Sequence, residues 1–345
     1  MNFRKFVTLT FASTLLLTTS CRDDDFFESE PKGAYENGIL VSNEGNYGTP
    51  TATVSFLSND LSTVENNIYA KNNNNLPLGD VLQSIGFQGD YAYLVLNNSN
   101  KIEVVNRYSF QKIATVSDQV SQPRYIAFAN KNYYVTNSSG SAKFVNVYGV
   151  SDNSFVKKIA LANTGERIVE ANGAIVVQNA SFGSGNKLTF INTSSNTVES
   201  ILTLPAGSLE KIVSYGGNVY AIAGSATDSY IYKVASTGTI TNTTILTGIA
   251  KAKNLEIDGN RFFFTSGSKV YSMDMMSNTV PTAPIITEAD NSWSNFYSFN
   301  VLNGKIFISN ANGFTADSSV NIYSTAGALI KTVTTGKGTN GFYQN

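Results

Sequence analysis

The chain has 345 residues, a formal net charge of −1 and no histidine. Its 24 lysines and arginines are scattered and form no basic stripe, so the charge pattern excludes an electrostatic footprint for nucleic acid. The lack of histidine excludes Ser-His-Asp and Cys-His catalysis and any histidine-ligated metal. A low charge content (14%) with many Asn, Ser, Thr and Gly residues is typical of an extracellular all-β protein.

The N-terminus has the pattern of a secretory signal. Arg4 and Lys5 precede an apolar stretch that ends at Leu17 and is too short to span a membrane as a helix. Cys21, the only cysteine, stands at the expected cleavage point. The segment resembles a bacterial lipoprotein signal, so we predict a signal peptide over residues 1–20 and lipidation of Cys21. An ordinary signal peptide with an unrelated cysteine is the alternative.

An acidic run, Asp23–Asp25, follows the cysteine. It resembles the surface-export signal of lipoproteins in one group of Gram-negative bacteria, which predicts a lipid-anchored protein on the outer face of the outer membrane. A solvated acidic tether is the alternative interpretation. We predict that residues 21–37 form this tether and a linker, and that residues 38–345 form one domain.

The organisation of that domain is clearest in the segment Gly89–Val116. Strands are predicted at Tyr91–Leu96, Lys101–Val105 and Lys112–Val116, because each is rich in β-branched and aromatic residues. A fourth run, Val81–Phe87, precedes them, and the four strands make one antiparallel sheet. One such sheet cannot bury both of its faces, so it requires neighbours of the same kind.

Tight turns recur along the chain at a nearly constant spacing. Most of their residues accept positive φ at low cost, and the first residues of successive pairs lie 41 to 45 positions apart. The pairs are Gly89-Asp90, Asn130-Lys131, Asn172-Gly173, Gly216-Gly217, Asp258-Gly259 and Asn303-Gly304. Ile39–Asn43 is an earlier copy of the strand that follows each turn. Seven four-stranded units predict an all-β, seven-bladed β-propeller, and a β-sandwich is the disfavoured alternative.

The first unit lacks an innermost strand. Its strands are predicted at Ile39–Asn43, Thr53–Leu57 and Val64–Tyr69, whereas Gly341–Gln344 is left over after the last unit. We predict that this C-terminal tail supplies the missing strand. The ring would then be closed by strands from both ends of the chain, which removes an open sheet edge.

The strand order separates the loops into two faces. The tight turns lie on the bottom face, and the loops between second and third strands lie on the top face with the connections between blades. Loops on a rigid scaffold often carry function, so we predict ligand-binding residues on the top face. Five amides close the second strands of their blades: Asn43, Asn97, Asn137, Asn179 and Asn310. Each alone is typical of a turn, but together they predict a ring of amides around the axis.

A second ring is predicted from the first residues of the innermost strands. These residues are Gln83, Arg124, Glu166, Glu210, Ala252 and Tyr297. A wet, polar channel without a ligand is the alternative. Trp293, the only tryptophan, is interpreted either as packing between blades or as an aromatic platform on the top face, and Tyr47 and Phe314 are similar.

Four segments resemble one known family. They are Asn43–Gly48 (NEGNYG), Pro77–Ser84 (PLGDVLQS), Asn97–Val105 (NNSNKIEVV) and Pro123–Tyr125 (PRY). They are similar to the surface lipoprotein propellers described as YncE-like or DUF5074-containing. For the BtuG-like branch, the resemblance implies capture of cobalamin, as a bound ligand and not as a cofactor. It also implies transfer of that corrinoid to a BtuB-like, TonB-dependent transporter of the outer membrane.

Cobalamin carries carboxamide arms, a phosphate and a flat macrocycle, which amide side chains and aromatic rings can contact. Without histidine, the chain cannot ligate the cobalt through an imidazole. The predicted contacts are Asn43, Glu44, Asn46, Tyr47, Asp80, Gln83, Asn98, Arg124, Tyr125, Asn137, Glu166, Asn179, Trp293, Tyr297 and Asn310.

Two other functions remain open from the sequence. A calcium-dependent propeller hydrolase, such as a lactonase, would use carboxylates at the mouth, for which Glu44, Glu166 and Glu210 are the candidates. A surface scaffold would instead bind another protein or a glycan. We predict a non-enzymatic binding protein without a resident metal.

Overall fold

The computed structural model describes residues 32–139, 142–181, 184–277, 279–289 and 292–345. The predicted signal peptide, Cys21 and the acidic run lie outside the described residues. Within the described ranges, no helix is both long enough and apolar enough to cross a membrane.

Seven four-stranded antiparallel sheets are arranged as the blades of a propeller, which confirms the predicted fold. In blades 2 to 7 the chain runs from the innermost strand outward, and each innermost strand contacts the innermost strands of the neighbouring blades. This arrangement surrounds the axis with seven strand ends, and it gathers the blade connections on the top face.

The strands of each blade are given from the axis outward. Blade 1 contains Thr339–Gln344, Gly38–Asn43, Thr53–Ser58 and Val64–Glu65. Blade 2 contains Leu82–Gln88, Tyr91–Leu96, Lys101–Asn106 and Lys112–Val116. Blade 3 contains Pro123–Ala129, Asn132–Ser139, Ala142–Gly149 and Phe155–Ala160. Blade 4 contains Ile168–Ala171, Ala174–Ser181, Ser184–Asn192 and Thr197–Thr203. Blade 5 contains Ser208–Tyr215, Asn218–Gly224, Ser229–Ala235 and Ile240–Leu246. Blade 6 contains Lys253–Asp258, Arg261–Ser266, Lys269–Asp274 and Ile286–Thr287. Blade 7 contains Asn295–Leu302, Lys305–Asn310, Ser319–Ser324 and Leu329–Thr334.

Blade 1 closes the ring with strands from both ends of the chain, as predicted. The C-terminal strand pairs antiparallel with Gly38–Asn43, and Val41 lies opposite Phe342 in the register. Phe342 is buried and its ring stacks on Phe307 of blade 7, with 5.0 Å between the ring centroids. The closure therefore combines a hydrogen-bonded ladder with apolar packing between the last blade and the first.

The outer part of blade 1 differs from the prediction. The sequence predicted a strand from Val64 to Tyr69, but the strand ends at Glu65 and a short α-helix, Ile68–Asn72, follows. Asn67 has a φ of 56°, a left-handed conformation that interrupts the strand. The apolar residues of the predicted strand thus become the buried face of a helical turn.

The described end of the predicted linker packs against the propeller. Tyr35 is buried, its ring meets Phe56 and Phe110 edge-on, and its hydroxyl donates to Glu65 at 3.0 Å. Asn72 donates a further hydrogen bond to this hydroxyl at 2.9 Å. Residues from Gly33 onward therefore belong to the same compact unit as the blades.

The predicted turns have the backbone conformation that their residue types favour. The first residue of five pairs has positive φ, as at Gly89, Asn130 and Asn172. In blade 6 the positive φ falls one position later, on Gly259 and Asn260. The positive φ values explain why Asn and Gly recur at these turns.

An apolar cluster fills each junction between neighbouring blades. Between blades 2 and 3, the ring of Tyr133 lies 5.1 Å from both Tyr93 and Tyr148, measured between centroids. The Tyr148 hydroxyl donates to the Asp118 carbonyl at 2.8 Å, which satisfies its buried polar end. A blade that cannot bury both faces alone is therefore covered on each side by its neighbours.

Candidate functional site

β-Bulges at the top ends of the innermost strands set the positions of the predicted second ring. A bulge places an extra residue opposite one residue of the partner strand and redirects its side chain. In blades 1, 2, 3, 5, 6 and 7 the extra residues are Asn340, Gln83, Arg124-Tyr125, Glu210, Asn254-Leu255 and Phe296-Tyr297. Most members of the predicted ring are thus bulge residues.

Two members of the ring need separate description. Glu166 precedes the innermost strand of blade 4, and its N–H donates to the Gln178 carbonyl at 2.9 Å, which extends the pairing of that blade. Ala252 was predicted in blade 6, but it is fully buried in the junction between blades 5 and 6. The bulge of blade 6 lies two residues further on, so the register prediction was wrong there.

A cavity of about 640 Å³, here called the mouth cavity, opens on the top face. It is lined by Glu44, Gly45, Asn46, Tyr47, Val81, Gln83, Asn97, Arg124, Tyr125, Arg167, Tyr297, Phe314 and Asn340. Seven of these residues were predicted contacts. The structure therefore gathers much of the predicted site around one opening at the axis.

Arg124 is the centre of the polar network in this cavity. Its Nε atom lies 3.2 and 3.1 Å from the two carboxylate oxygens of Glu166, and Nη2 lies 2.5 Å from Oε1. Its Nη1 donates to Gln83 Oε1 at 2.6 Å, and Gln83 Nε2 donates to the Tyr125 hydroxyl at 3.4 Å. This network connects blades 2, 3 and 4 at the top of the axis.

Glu44 closes the ring on the opposite side. Its carboxylate accepts hydrogen bonds from Tyr297 and from Asn340 Nδ2, each at 2.8 Å. Desolvation raises the pKa of Glu44 above its ordinary value of 4.5, although these two donors and the charge of Arg124 act in the other direction. Burial and the neighbouring Glu44 carboxylate raise the pKa of Tyr297, so its hydroxyl remains a donor.

The floor of the mouth cavity contains Arg167, stacked against Tyr125 of the neighbouring blade. The distance from Arg167 Cζ to the Tyr125 ring centroid is 4.7 Å. Below the upper ring, Lys211 Nζ lies 2.5 Å from Glu256 Oε1, and Asn300 Nδ2 donates to the same oxygen at 2.9 Å. Desolvation lowers the pKa of the Lys211 ammonium, and the Glu256 carboxylate partly offsets that shift.

A second cavity of about 620 Å³, here called the side cavity, also opens on the top face, over blades 5 to 7. It is lined by Ser208, Glu210, Gly224, Ser225, Ala226, Lys251, Lys253, Gly267, Ser292, Trp293, Asn295 and Phe296. The Trp293 ring stacks on Phe314, with 6.1 Å between centroids and 10° between planes. Because Phe314 lines the mouth cavity, this aromatic pair lies between the two openings.

Aromatic rings are exposed beside the mouth cavity. Tyr47 is 77% exposed and Trp293 is 70% exposed. The edge of Phe314 meets the Tyr297 ring at 5.2 Å between centroids. Trp293 is therefore an exposed platform on the top face and not a residue buried between blades.

Four of the five amides in the predicted ring hydrogen-bond within the fold and do not line the mouth cavity, whereas Asn97 does line it. Asn43 donates to Ser55 Oγ at 2.9 Å, Asn137 donates to the Val135 carbonyl at 2.8 Å, and both are fully buried. Asn179 is also buried and accepts a hydrogen bond from Thr189. Asn310 accepts from the Asn312 N–H at 2.9 Å. In the structure the side chains of Asn43, Asn137, Asn179 and Asn310 form hydrogen bonds at turns and strand ends. This is the structural role that is typical of a single Asn at such a position.

Asp80 connects the first two top-face loops. Its carboxylate accepts from the Gly48 N–H at 3.0 Å and from the Asn98 side chain. Asn46 accepts the Thr49 N–H in the turn of the first loop, whose tip is Tyr47. Asp80 and Asn98 thus position the loop that presents Tyr47, and only Asn46 and Tyr47 of these four residues line the mouth cavity.

Sequence reasoning missed two polar side chains of the site, those of Asn340 and Arg167. Asn340 lies one residue before the predicted closing strand, at the position equivalent to Gln83, so alignment of the tail with blade 2 was the available signal. Arg167 follows Glu166 directly, and no pattern in the sequence indicated which of the two would reach the cavity floor. Within the described ranges, no three His, Cys, Asp or Glu side chains are placed to hold a metal ion.

The fold and the mouth define a seven-bladed β-propeller whose polar and aromatic residues converge on one face of the axis. The chain belongs to the family described as "Domain of unknown function (DUF5074)", whose model matches residues 37–343. This membership confirms the resemblance to DUF5074-containing propellers seen in the sequence. No curated protein matches the chain.

Several solved structures are similar in fold. A quinonprotein alcohol dehydrogenase-like protein from Bacteroides thetaiotaomicron is 15% identical, with a TM-score of 0.67 over 88% of this chain and 76% of that chain. A functionally unknown protein from Desulfotomaculum acetoxidans is 13% identical, with a TM-score of 0.65 over 90% and 99% of the two chains. The dihydro-heme d1 dehydrogenase NirN in complex with DHE is 10% identical, with a TM-score of 0.54 over 92% and 77%. At these identities the likeness shows the fold alone.

Proposed function

We propose that this protein is a non-enzymatic binding protein that captures cobalamin or a related corrinoid on its top face. The observation that carries the proposal is a polar cavity of about 640 Å³ bordered on the same face by exposed aromatic rings. Binding sites for small molecules have volumes of roughly 300–1,000 Å³ and combine apolar surface with a few convergent polar groups.

The chemistry of the mouth cavity suits a ligand with amide arms and a flat ring system. Gln83, Asn97, Asn340 and Asn46 supply carboxamides in the lining of this cavity. Tyr47 and Trp293 offer exposed aromatic faces against which the apolar edge of a macrocycle can pack. The macrocycle would lie across the rim, and its arms would enter the cavity.

The N-terminal pattern supports the cellular context of this proposal. A lipid on Cys21 and the acidic run after it would tether the propeller to the outer face of the outer membrane. A surface-held ligand must still cross that membrane, so the partner we propose is a TonB-dependent transporter of the BtuB type. The top face would then be both the binding face and the face from which the ligand is released.

The direct test is titration of the purified protein with cyanocobalamin, followed by calorimetry and by the visible absorption of the corrin. We expect saturable binding at micromolar concentrations or below. Tyr47→Ala should weaken the affinity about three- to tenfold, because it removes an aromatic contact worth roughly 0.5–1.5 kcal/mol. Met276→Ala is the matched control, since Met276 is 90% exposed but lies outside both top-face cavities.

Three results would contradict the proposal. The first is the absence of heat and spectral change with cyanocobalamin. The second is equal weakening by the Tyr47 and Met276 variants, which would place the ligand elsewhere. The third is calcium-dependent ester hydrolysis by the purified protein, which would favour the propeller hydrolase over a binding protein.

A further inference from the structure

Arg167 differs from the other charged residues around the axis because no protein group satisfies its donors. Its guanidinium lines the floor of the mouth cavity and is half-buried. In the part of the chain that the structure describes, it makes no side-chain hydrogen bond and no ion pair within 4 Å, and its ring contact is the stack on Tyr125. Burial lowers the pKa of its guanidinium, but the charges of Tyr125, Glu256 and Glu166, which act on it at longer range, raise it. Five N–H donors therefore remain free for a ligand.

The neighbouring charges show that this arrangement is particular to Arg167. Arg124 is paired with Glu166, and Lys211 is paired with Glu256. Glu44 receives two hydrogen bonds from Tyr297 and Asn340. Arg124 and Lys211 thus have carboxylate partners at hydrogen-bond distance, whereas Arg167 interacts with Glu166 and Glu256 only at longer range.

The stack on Tyr125 fixes the direction of the guanidinium. A planar cation held against an aromatic face loses little further freedom when it forms two parallel hydrogen bonds. Such a fork matches the oxygen geometry of a phosphate group, and hydrogen bonds between charged partners are stronger than those between neutral ones. A half-buried guanidinium whose donors make no direct hydrogen bond to the protein is otherwise costly, so a ligand anion is the natural complement.

We infer that Arg167 is the anion-binding residue of the mouth cavity and that it takes a phosphate-type group of the ligand. The inference rests on the proposed function in one respect: in a cobalamin-type corrinoid, that group would be the phosphodiester of the nucleotide arm. In this assignment, Tyr47 and Trp293 at the rim contact the macrocycle, and Arg167 at the floor binds the anionic arm.

Binding of cyanocobalamin should be compared with binding of cobinamide, which has the same macrocycle but lacks the phosphodiester-linked nucleotide. Arg167→Gln should weaken cyanocobalamin about tenfold or more and cobinamide less than about twofold. Arg167→Lys keeps the charge without the fork, so it should have an intermediate effect. Higher salt should weaken cyanocobalamin binding more in the wild-type protein than in Arg167→Gln.

Arg261→Gln is the matched control, because Arg261 begins a strand on the bottom face next to the turn at Gly259 and Asn260. It removes the same charge and should leave both affinities unchanged. Thermal melting of each variant checks that the propeller is folded. Equal losses for cyanocobalamin and cobinamide in folded Arg167→Gln would overturn the inference.

A separate arm uses inorganic phosphate as the probe, so that failure of the two proposals can be distinguished. If neither corrinoid binds the wild-type protein, the proposed function fails. Phosphate binding that is present in the wild-type protein and lost in Arg167→Gln would still support the anion site. If the corrinoids do not bind, and phosphate also shows no binding that depends on Arg167, the inference is overturned as well.

Discussion

The Tyr297 hydroxyl donates to the Glu44 carboxylate at 2.8 Å, and this bond joins the innermost strand of blade 7 to the first top-face loop of blade 1. Asn340, on the closing strand, donates to the other oxygen of the same carboxylate at 2.8 Å. The point at which the ring closes is therefore also one wall of the mouth cavity, so the residues that close the ring also line the cavity proposed for binding.

The raised pKa of Glu44 predicts a pH dependence of stability. Desolvation makes the folded protein hold this proton at pH values where the unfolded chain, with a pKa near 4.5, has released it. The contribution of Glu44 to stability therefore falls as pH rises from about 4.5 to the raised folded-state pKa, and is level above it. The free energy of unfolding of wild type minus that of Glu44→Gln, from urea titrations between pH 4 and 8, should decline over this interval. A constant difference would contradict the prediction.

Because the C-terminal strand closes the ring, we expect Phe342→Ala to lower the free energy of unfolding strongly. The Phe342 side chain is 2% exposed and fills the junction between blades 7 and 1. Its truncation should cost about 3–5 kcal/mol of unfolding free energy, measured by urea denaturation. Ile330→Ala on the outer strand of blade 7 is the control, since Ile330 is 50% exposed and should cost under about 1 kcal/mol. Similar losses in the two variants would mean that the closing strand is not well packed.

The pairing of Arg124 with Glu166 predicts strong coupling between them. Their side chains are 20% and 13% exposed, so each is screened only partly by water. Arg124→Met alone should destabilise the propeller by roughly 1–3 kcal/mol, because it leaves the Glu166 carboxylate without its partner. The double variant with Glu166→Leu should lose less than the sum of the two single losses. Additive losses in this double-mutant cycle would show that the pair is not coupled.

We expect substitution of Trp293 to weaken ligand binding without a large loss of stability. Its ring is 70% exposed and stacks on Phe314, so Trp293→Ala should change the melting temperature little while it weakens cyanocobalamin about three- to tenfold. Leu329→Ala, at a residue that is 57% exposed on the outer strand of blade 7, controls for loss of exposed apolar surface. An unchanged affinity in the tryptophan variant would remove this ring from the binding surface.

The lipid anchor is testable by fractionation of cells that produce the full chain. Cys21→Ala should move the protein out of the outer-membrane fraction, because no other cysteine is present to accept the lipid. Deletion of Asp23–Asp25 should leave the protein in that fraction but protected from protease added to whole cells. Membrane retention of the alanine variant would refute the anchor, and continued protease sensitivity of the deletion would refute the export signal.

The sequence by itself determined the architecture of this protein. Positive-φ turn residues at a period near 42 predicted seven antiparallel blades. The reason is that turn residues and strand patterns depend only on local sequence, so each repeat shows them independently. The unpaired tail predicted the closure, because a propeller with one blade short of a strand would leave an edge open.

Only the tertiary structure decided which side chains face the axis. A bulge adds one residue to a strand and reverses the faces of the residues around it, so Asn340 enters the mouth cavity while Ala252 is buried in a junction. The tertiary structure likewise determined that the side chains of Asn43 and Asn137 form hydrogen bonds inside their blades. The tertiary structure also left Arg167 without a directly bonded protein partner, because ion pairing around the axis depends on contacts between residues from different blades, about one repeat apart in the sequence.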